Sequence, residues 1–376
     1  MHKTLCEFLL RLHEFFRGYA AALALLPEFR NRLTCMKQVI LRLLILCTFF
    51  GACAICFAQQ NYRVLNTWKI GGDGGWDYLT VDPSAHILYI ARGPRIQVVD
   101  LKSGKLVGEI TGFRSTHGLV VVTSGKVGYV SDGQGNAVRR VDLSTLKITA
   151  SIDAGQNPDG IVYEPKTKRI IAFNGRSKDA TVIDTATNKV VATITLGGKP
   201  EFPQTDGKGT VWVNVEDTNL IKRIDVATAT VTAAWSLDPC DGPSGLAFDG
   251  VHRRLFSVCG NQKMAVSDAD AGKLVTTLDI GNRPDAATYD ALRGVVFSSN
   301  GEGNLSIYSQ QSADSYTLLQ TLPTQASART SALDASTGNI YLVAATFGPR
   351  PPSTPENPKP KPAMVSGSFV VLEVGR

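Results

Sequence analysis

Beyond residue 58 the chain holds little cysteine and little histidine: two of its seven cysteines, Cys240 and Cys259, and three of its five histidines, His86, His117 and His252. So few thiols and imidazoles exclude a multi-histidine haem or copper centre and a CxxC redox pair. Also missing are a GxSxG nucleophile elbow and an HExxH helix, so no residue can be named as catalytic from a recognised signature. Charge of one sign is lacking too. After residue 58 there are 32 Lys and Arg against 30 Asp and Glu, so the formal +6 of the whole chain resides mostly in its first residues. A general basic field for nucleic acid is therefore absent, and only Trp68 and the PKPKP run from Pro358 hint at such a partner. Past residue 58 no membrane span is expected.

What is present begins with a leader. Met36 and Lys37 open a basic start, followed by the apolar run VILRLLILCTFFGACAICFA and then Gln59 and Gln60. This is the layout of a signal peptide over 36–58 with cleavage after Ala58, which predicts a periplasmic or secreted protein. A retained anchor is the competing reading, although the run after Arg42 is short for a bilayer. Residues 1–35 precede a complete signal and are read as an upstream extension, with Met36 as the true start. In an oxidising compartment Cys240 and Cys259, on one face of one repeat, would either pair or remain two thiols.

From Gly71 onward a unit of about 42 residues recurs seven times, most clearly as RIIAFNGRSKDATVIDTATNKVVATITLGGKP over Arg169 to Pro200. The composition, 43% hydrophobic with Gly-rich turns and Val/Ile/Thr/Tyr runs, is that of an all-β fold. The period predicts a seven-bladed β-propeller over 59–376 with four-stranded antiparallel blades. Asp100, Asp142, Asp184, Asp225 and Asp268 end successive third strands before turn sequences, where an Asp serves turn geometry rather than catalysis. The seventh repeat lacks an outer strand, and RVLNTWKI (Arg63 to Ile70) is a spare one. Docking it there would close the ring and remove a free edge. The proline-rich loop 348–363 cannot join a ladder and is placed over the mouth of the axis, as a solvated insertion or a flap.

Aligning the repeats on the residues that end each first strand (Asp82, Val122, Glu164, Asp206, Asp249, Asp290, Asp334) makes the residue five earlier equivalent in all. Those residues are Asp77, His117, Asp159, Glu201, Ser244, Asp285 and Arg329, and all are polar. Carboxylates facing a shared axis must be solvated, paired or bound to a ligand. A second tier at the second-strand ends, with Arg92, Asp132, Asn174 and Asn300 as its polar members, completes the candidate funnel. Asp77, Asp159, Glu201, Asp285 and Asn174 offer oxygens to a divalent cation such as Ca²⁺, and His117 beside them suits a transition metal.

The string VIDTATNKVVATITLGGKP resembles the YVTN-type repeat, and the chain from residue 59 resembles the YncE-like, YVTN-family β-propellers. The resemblance implies an exported, repeat-built binding domain with no fixed reaction. The expected function is that of a monomeric, non-catalytic scaffold holding a protein or small-molecule ligand at the funnel. The alternative is a lactonase-like hydrolase with one divalent cation on the axis. A quinoprotein-type enzyme or partner subunit would need a cofactor cradle, and Trp76 and Arg92 alone do not make one.

Overall fold

The computed structural model describes residues 61–122, 126–355 and 357–376. The signal peptide and the upstream extension read from the sequence lie outside the described residues. Among the described residues no helix is long and apolar enough to cross a membrane. The regular structure is β-strand, apart from two short 3-10 turns at Gly133–Gly135 and Glu216–Thr218.

Strand β1 is Arg63–Lys69. One sheet then takes, in order, β2 (Leu79–Asp82), β3 (Ile87–Asp100), β4 (Lys105–Val121), β5 (Val127–Asp132), β6 (Ala137–Asp142) and β7 (Lys147–Asp153). The next is β8 (Pro158–Glu164), β9 (Arg169–Asn174), β10 (Asp179–Asp184) and β11 (Lys189–Thr195). It is followed by β12 (Pro200–Thr205), β13 (Thr210–Val215), β14 (Leu220–Asp225) and β15 (Thr230–Ser236). Then come β16 (Pro243–Asp249), β17 (Arg254–Cys259), β18 (Lys263–Asp268) and β19 (Leu274–Asp279), and after them β20 (Pro284–Asp290), β21 (Val295–Asn300), β22 (Asn304–Ser312) and β23 (Ser315–Pro323). The last sheet holds β24 (Ser331–Asp334), β25 (Asn339–Ala344) and β26 (Val370–Gly375), with β1 antiparallel to β26 at its edge.

The fold is an all-β propeller, but the expectation of seven separate four-stranded blades is corrected: there are six sheets, five of four strands and one of six. The first two repeats share the six-stranded sheet because β3 and β4 run on where other repeats break, with Gly93 paired to Thr116 and Arg95 to Thr111. The local sequence differs here. In four other repeats the link into the first strand carries a proline just before the funnel residue, Pro158, Pro200, Pro243 and Pro284, while Trp76 and Ala328 hold that place in the remaining two. Proline has no N–H for a ladder. Here Thr116 stands in that place, and its hydroxyl bonds Gly93 O and Arg95 O at 3.0 Å while accepting from Arg92 N at 3.1 Å. The sheet folds upon itself at Gly93 and Gly112, both at positive φ, and packs Ile96, Val98 and Ile110 of one half against Leu119, Val130 and Val141 of the other.

Between sheets the packing is equally apolar. Second and third strands such as β9 (RIIAFN) are buried on both faces, whereas outer strands such as β15 alternate exposed and half-buried positions. The inner strands touch in succession, from β2 to the far half of β4, then β8, β12, β16, β20 and β24, which returns to β2. The axis is thus enclosed.

Two belts of carboxylates fix the turns. At the ends of first strands Asp82, Glu164, Asp249, Asp290 and Asp334 are buried and accept backbone N–H groups of the following turn, as Asp249 does from Val251 at 2.9 Å and His252 at 3.2 Å. At the ends of third strands Asp142 accepts from Ser144 and Thr145, both at 2.9 Å, and Asp100, Asp184, Asp225 and Asp268 do likewise. These are side chains mimicking a backbone turn. Cys240 and Cys259 form a disulfide with their Cα atoms 5.6 Å apart.

Candidate functional site

The residues preceding or opening the first strands converge at one end of the axis. His117 Nδ1 lies 2.6 Å from Asp77 Oδ2 and 3.5 Å from Asp159 Oδ1. These three side chains each offer a ligand atom, and those atoms all lie within 4.8 Å of one another. Further round, Ser244 Oγ donates to Asp285 Oδ1 at 3.0 Å, and Arg329 pairs with the other oxygen of Asp285. Glu201 is held by Lys199 at 2.6 Å, and Lys199 also contacts Glu216.

The electrostatics show that these groups share one space. Burial, and then the charge of Asp77, push the Asp159 carboxyl up to about 7, against the pull of His117. Asp285 is pushed up to about 6 by burial, with Arg329 opposing and Asp77 adding. For His117, burial alone would lower the value, but the hydrogen bond to Asp77 and the charges of Asp159, Asp77 and Glu201 outweigh it and raise it to about 9. Burial and Asp159 drive Glu201 upward, while the Lys199 ammonium pulls it down. A cavity rich in mutually repelling carboxylates attracts a cation.

Sequence-local features hold this geometry. Ser131 on β5 donates to Asp159 O at 2.6 Å and accepts from Gly118 N at 2.9 Å, tying neighbouring inner strands together. Gly160 lets β8 lie against β12, since a Cβ there would meet Glu201 O at 2.4 Å. Gly133 underlies the imidazole, and a Cβ on it would fall 2.5 Å from His117 Nε2.

The floor of the cup is aromatic. Tyr78 and Phe202, each one residue after a funnel position, reach past β4 and β8 and meet edge to face with ring centroids 5.0 Å apart. Burial, followed by Asp159, Glu201, Asp77 and Asp285, drives the Tyr78 phenol well above its usual range, so the hydroxyl stays protonated. Below the two rings the walls turn apolar around a cavity of about 310 Å³ that includes Leu119, Val121, Ile161 and Val162. The polar end of the axis is a cup rather than an open pore.

The second tier behaves differently. Arg92 is fully buried and turns away to the Gly71–Gly75 segment, donating to Gly72 O at 2.6 Å and to Gly74 O, with its guanidinium 3.8 Å from the Phe369 ring centroid. Asp132 accepts from Arg114 N and Ser115 N, both at 2.9 Å, and pairs with Arg139. Asn174 donates to Asp179 and Thr181, and Asn300 to Asn304 and Ser306, within their own sheets. These four residues brace loops and do not meet the funnel side chains. Sequence reasoning missed Lys199, Tyr78 and Phe202. Their signal was adjacency to funnel positions, Lys199 standing two before Glu201.

No family model matches this sequence, and no curated protein matches it. Among solved structures the chain is similar to Kuenenia stuttgartiensis hydrazine synthase, with a TM-score of 0.62 and 18% identity over 73% of this chain and 94% of that one. At such identity the likeness establishes the propeller fold and nothing finer.

Proposed function

We propose that this chain is an exported, non-catalytic binding propeller of the YVTN type whose acidic cup takes a cationic ligand, in the simplest case a divalent transition-metal ion on Asp77, His117 and Asp159. The observation that carries this reading is the approach of those three side chains, ligand atoms within 4.8 Å, inside a cup whose other carboxylates are Glu201 and Asp285. One imidazole with two carboxylates is a donor set for a borderline metal rather than for Ca²⁺ alone. The aromatic floor supports binding rather than passage. Export is supported by the leader and by the placement of Cys240 beside Cys259. The hydrolytic alternative is favoured neither by the geometry nor by the likeness in fold.

Calorimetric titration of the chain with Zn²⁺ tests the reading. One equivalent should bind, and His117→Gln and Asp159→Asn should each weaken it by at least about tenfold. Absence of saturable binding, or equal affinity in both variants, would contradict it.

A further inference from the structure

A second cavity lies beside the cup, beneath the proline-rich segment, and its chemistry is opposite. It measures about 820 Å³, within the range of small-molecule sites. Among the described residues Arg283, Arg329, Arg350 and Lys361 line it and no acidic side chain does. Trp76 and Phe347 form an aromatic wall, their ring centroids 6.0 Å apart, with Trp76 also against Phe369 at 5.3 Å.

The chain builds this pocket from five separate loops. Gly301 admits the stems of two arginines at once, for a Cβ there would lie 3.4 Å from both Arg283 Cβ and Arg329 Cβ. Arg283 spends a donor on Gly301 O at 2.7 Å. Arg329 spends one on Asp285, which makes this ion pair the border between acidic cup and basic pocket. Each guanidinium keeps further N–H donors, since arginine has five. The roof is the base of the proline-rich loop. Phe347 bridges Met364, and Gly348 N donates to Ala363 O at 2.8 Å, so Arg350 and Lys361 stand just beyond a stapled neck. Rigid prolines around them limit the entropy lost when they close on a ligand.

We infer that this pocket binds a small organic anion carrying a flat apolar group, its charge held by Arg283, Arg329, Arg350 and Lys361 and its ring set against Trp76 and Phe347. Charge complementarity selects the anionic head, and the aromatic wall selects the flat body. This site shares none of the metal ligands Asp77, His117 and Asp159 with the cup and meets it only at the Arg329–Asp285 ion pair.

The test uses two dyes that differ in one charge: anionic 8-anilinonaphthalene-1-sulfonate and neutral N-phenyl-1-naphthylamine, titrated by fluorescence at low salt. The sulfonate should bind saturably and be displaced by inorganic pyrophosphate. The double variant Arg350→Gln/Lys361→Gln, both exposed and safe for folding, should weaken the sulfonate by about tenfold and leave the neutral dye unchanged. Trp76→Leu should weaken both dyes. The inference fails if the two dyes bind alike, if the double variant leaves sulfonate affinity intact, or if pyrophosphate does not compete.

Discussion

The carboxylates at the turns and those at the axis are the same chemical group placed in opposite environments. At the turns, backbone N–H and hydroxyl donors surround each charge: Asp142 is drawn down to about 2 by Ser144 and Thr145, and Asp100, Asp184, Asp225 and Asp268 are lowered as well. At the axis, burial and neighbouring charges raise Asp159 and Asp285 to about 7 and about 6. Burial alone does not separate the two sets, because Asp249 is fully buried and still lowered, its burial outweighed by Gln310, His252 and Val251. What differs is the surroundings: a carboxylate ringed by several turn donors is lowered, whereas one held among other carboxylates at the axis is raised even where, as at Asp285, Ser244 and Arg329 donate to it.

The largest effect should come from removing a buried turn carboxylate. Asp249→Ala strips partners from Val251 N, His252 and Gln310, and should cost roughly 3 kcal/mol by chemical denaturation. A cost below about 1 kcal/mol would erase the distinction drawn here.

The pH dependence of stability comes next. Lowered carboxylates stabilise the fold above the unfolded value near pH 4, and that contribution is lost as pH falls through their folded values, for Asp142 about 2. Axis carboxylates do the reverse. Between about pH 4 and 7 native Asp159 and Asp285 keep protons that the unfolded chain has released, so stability should decline as pH rises. His117, raised to about 9, adds stability below about pH 6.5 that is lost as pH climbs through that folded value. Melting temperature should therefore be highest on the acid side of neutrality. A maximum at or above pH 8 would contradict the axis assignment.

A smaller effect sharpens the same contrast. Asp159→Asn should raise the melting temperature at pH 8 by a few degrees, about 2 to 4 °C, and change little at pH 4.5. At the exposed end of the scale, Asp142→Asn should lower the melting point slightly at pH 7 and not at all at pH 2, which differential scanning calorimetry resolves.

Much of this pattern is visible before any coordinates. The repeat places Asp142, Asp184 and Asp268 before turn sequences, and alignment on the first-strand ends brings Asp77, His117 and Asp159 into register. The merging of the first two repeats was hidden, because there the Thr116 hydroxyl reaches across to the carbonyls of Gly93 and Arg95 in the preceding repeat. The turn of Arg92 away from the funnel was hidden as well, since its guanidinium answers to carbonyls of the Gly71–Gly75 loop. Long-range meetings such as Tyr78 with Phe202, and the basic pocket assembled from five loops, are set by closure around the axis, and no local pattern encodes them.

Site-resolved titration of side-chain carboxyl resonances by NMR tests the central contrast most directly. Asp159 should titrate near 7 and Asp285 near 6, while Asp142 stays near 2. Asp159 titrating at the ordinary aspartate value of about 3.9 would mean that the axis carboxylates do not face one another, and the acidic cup would be lost with them.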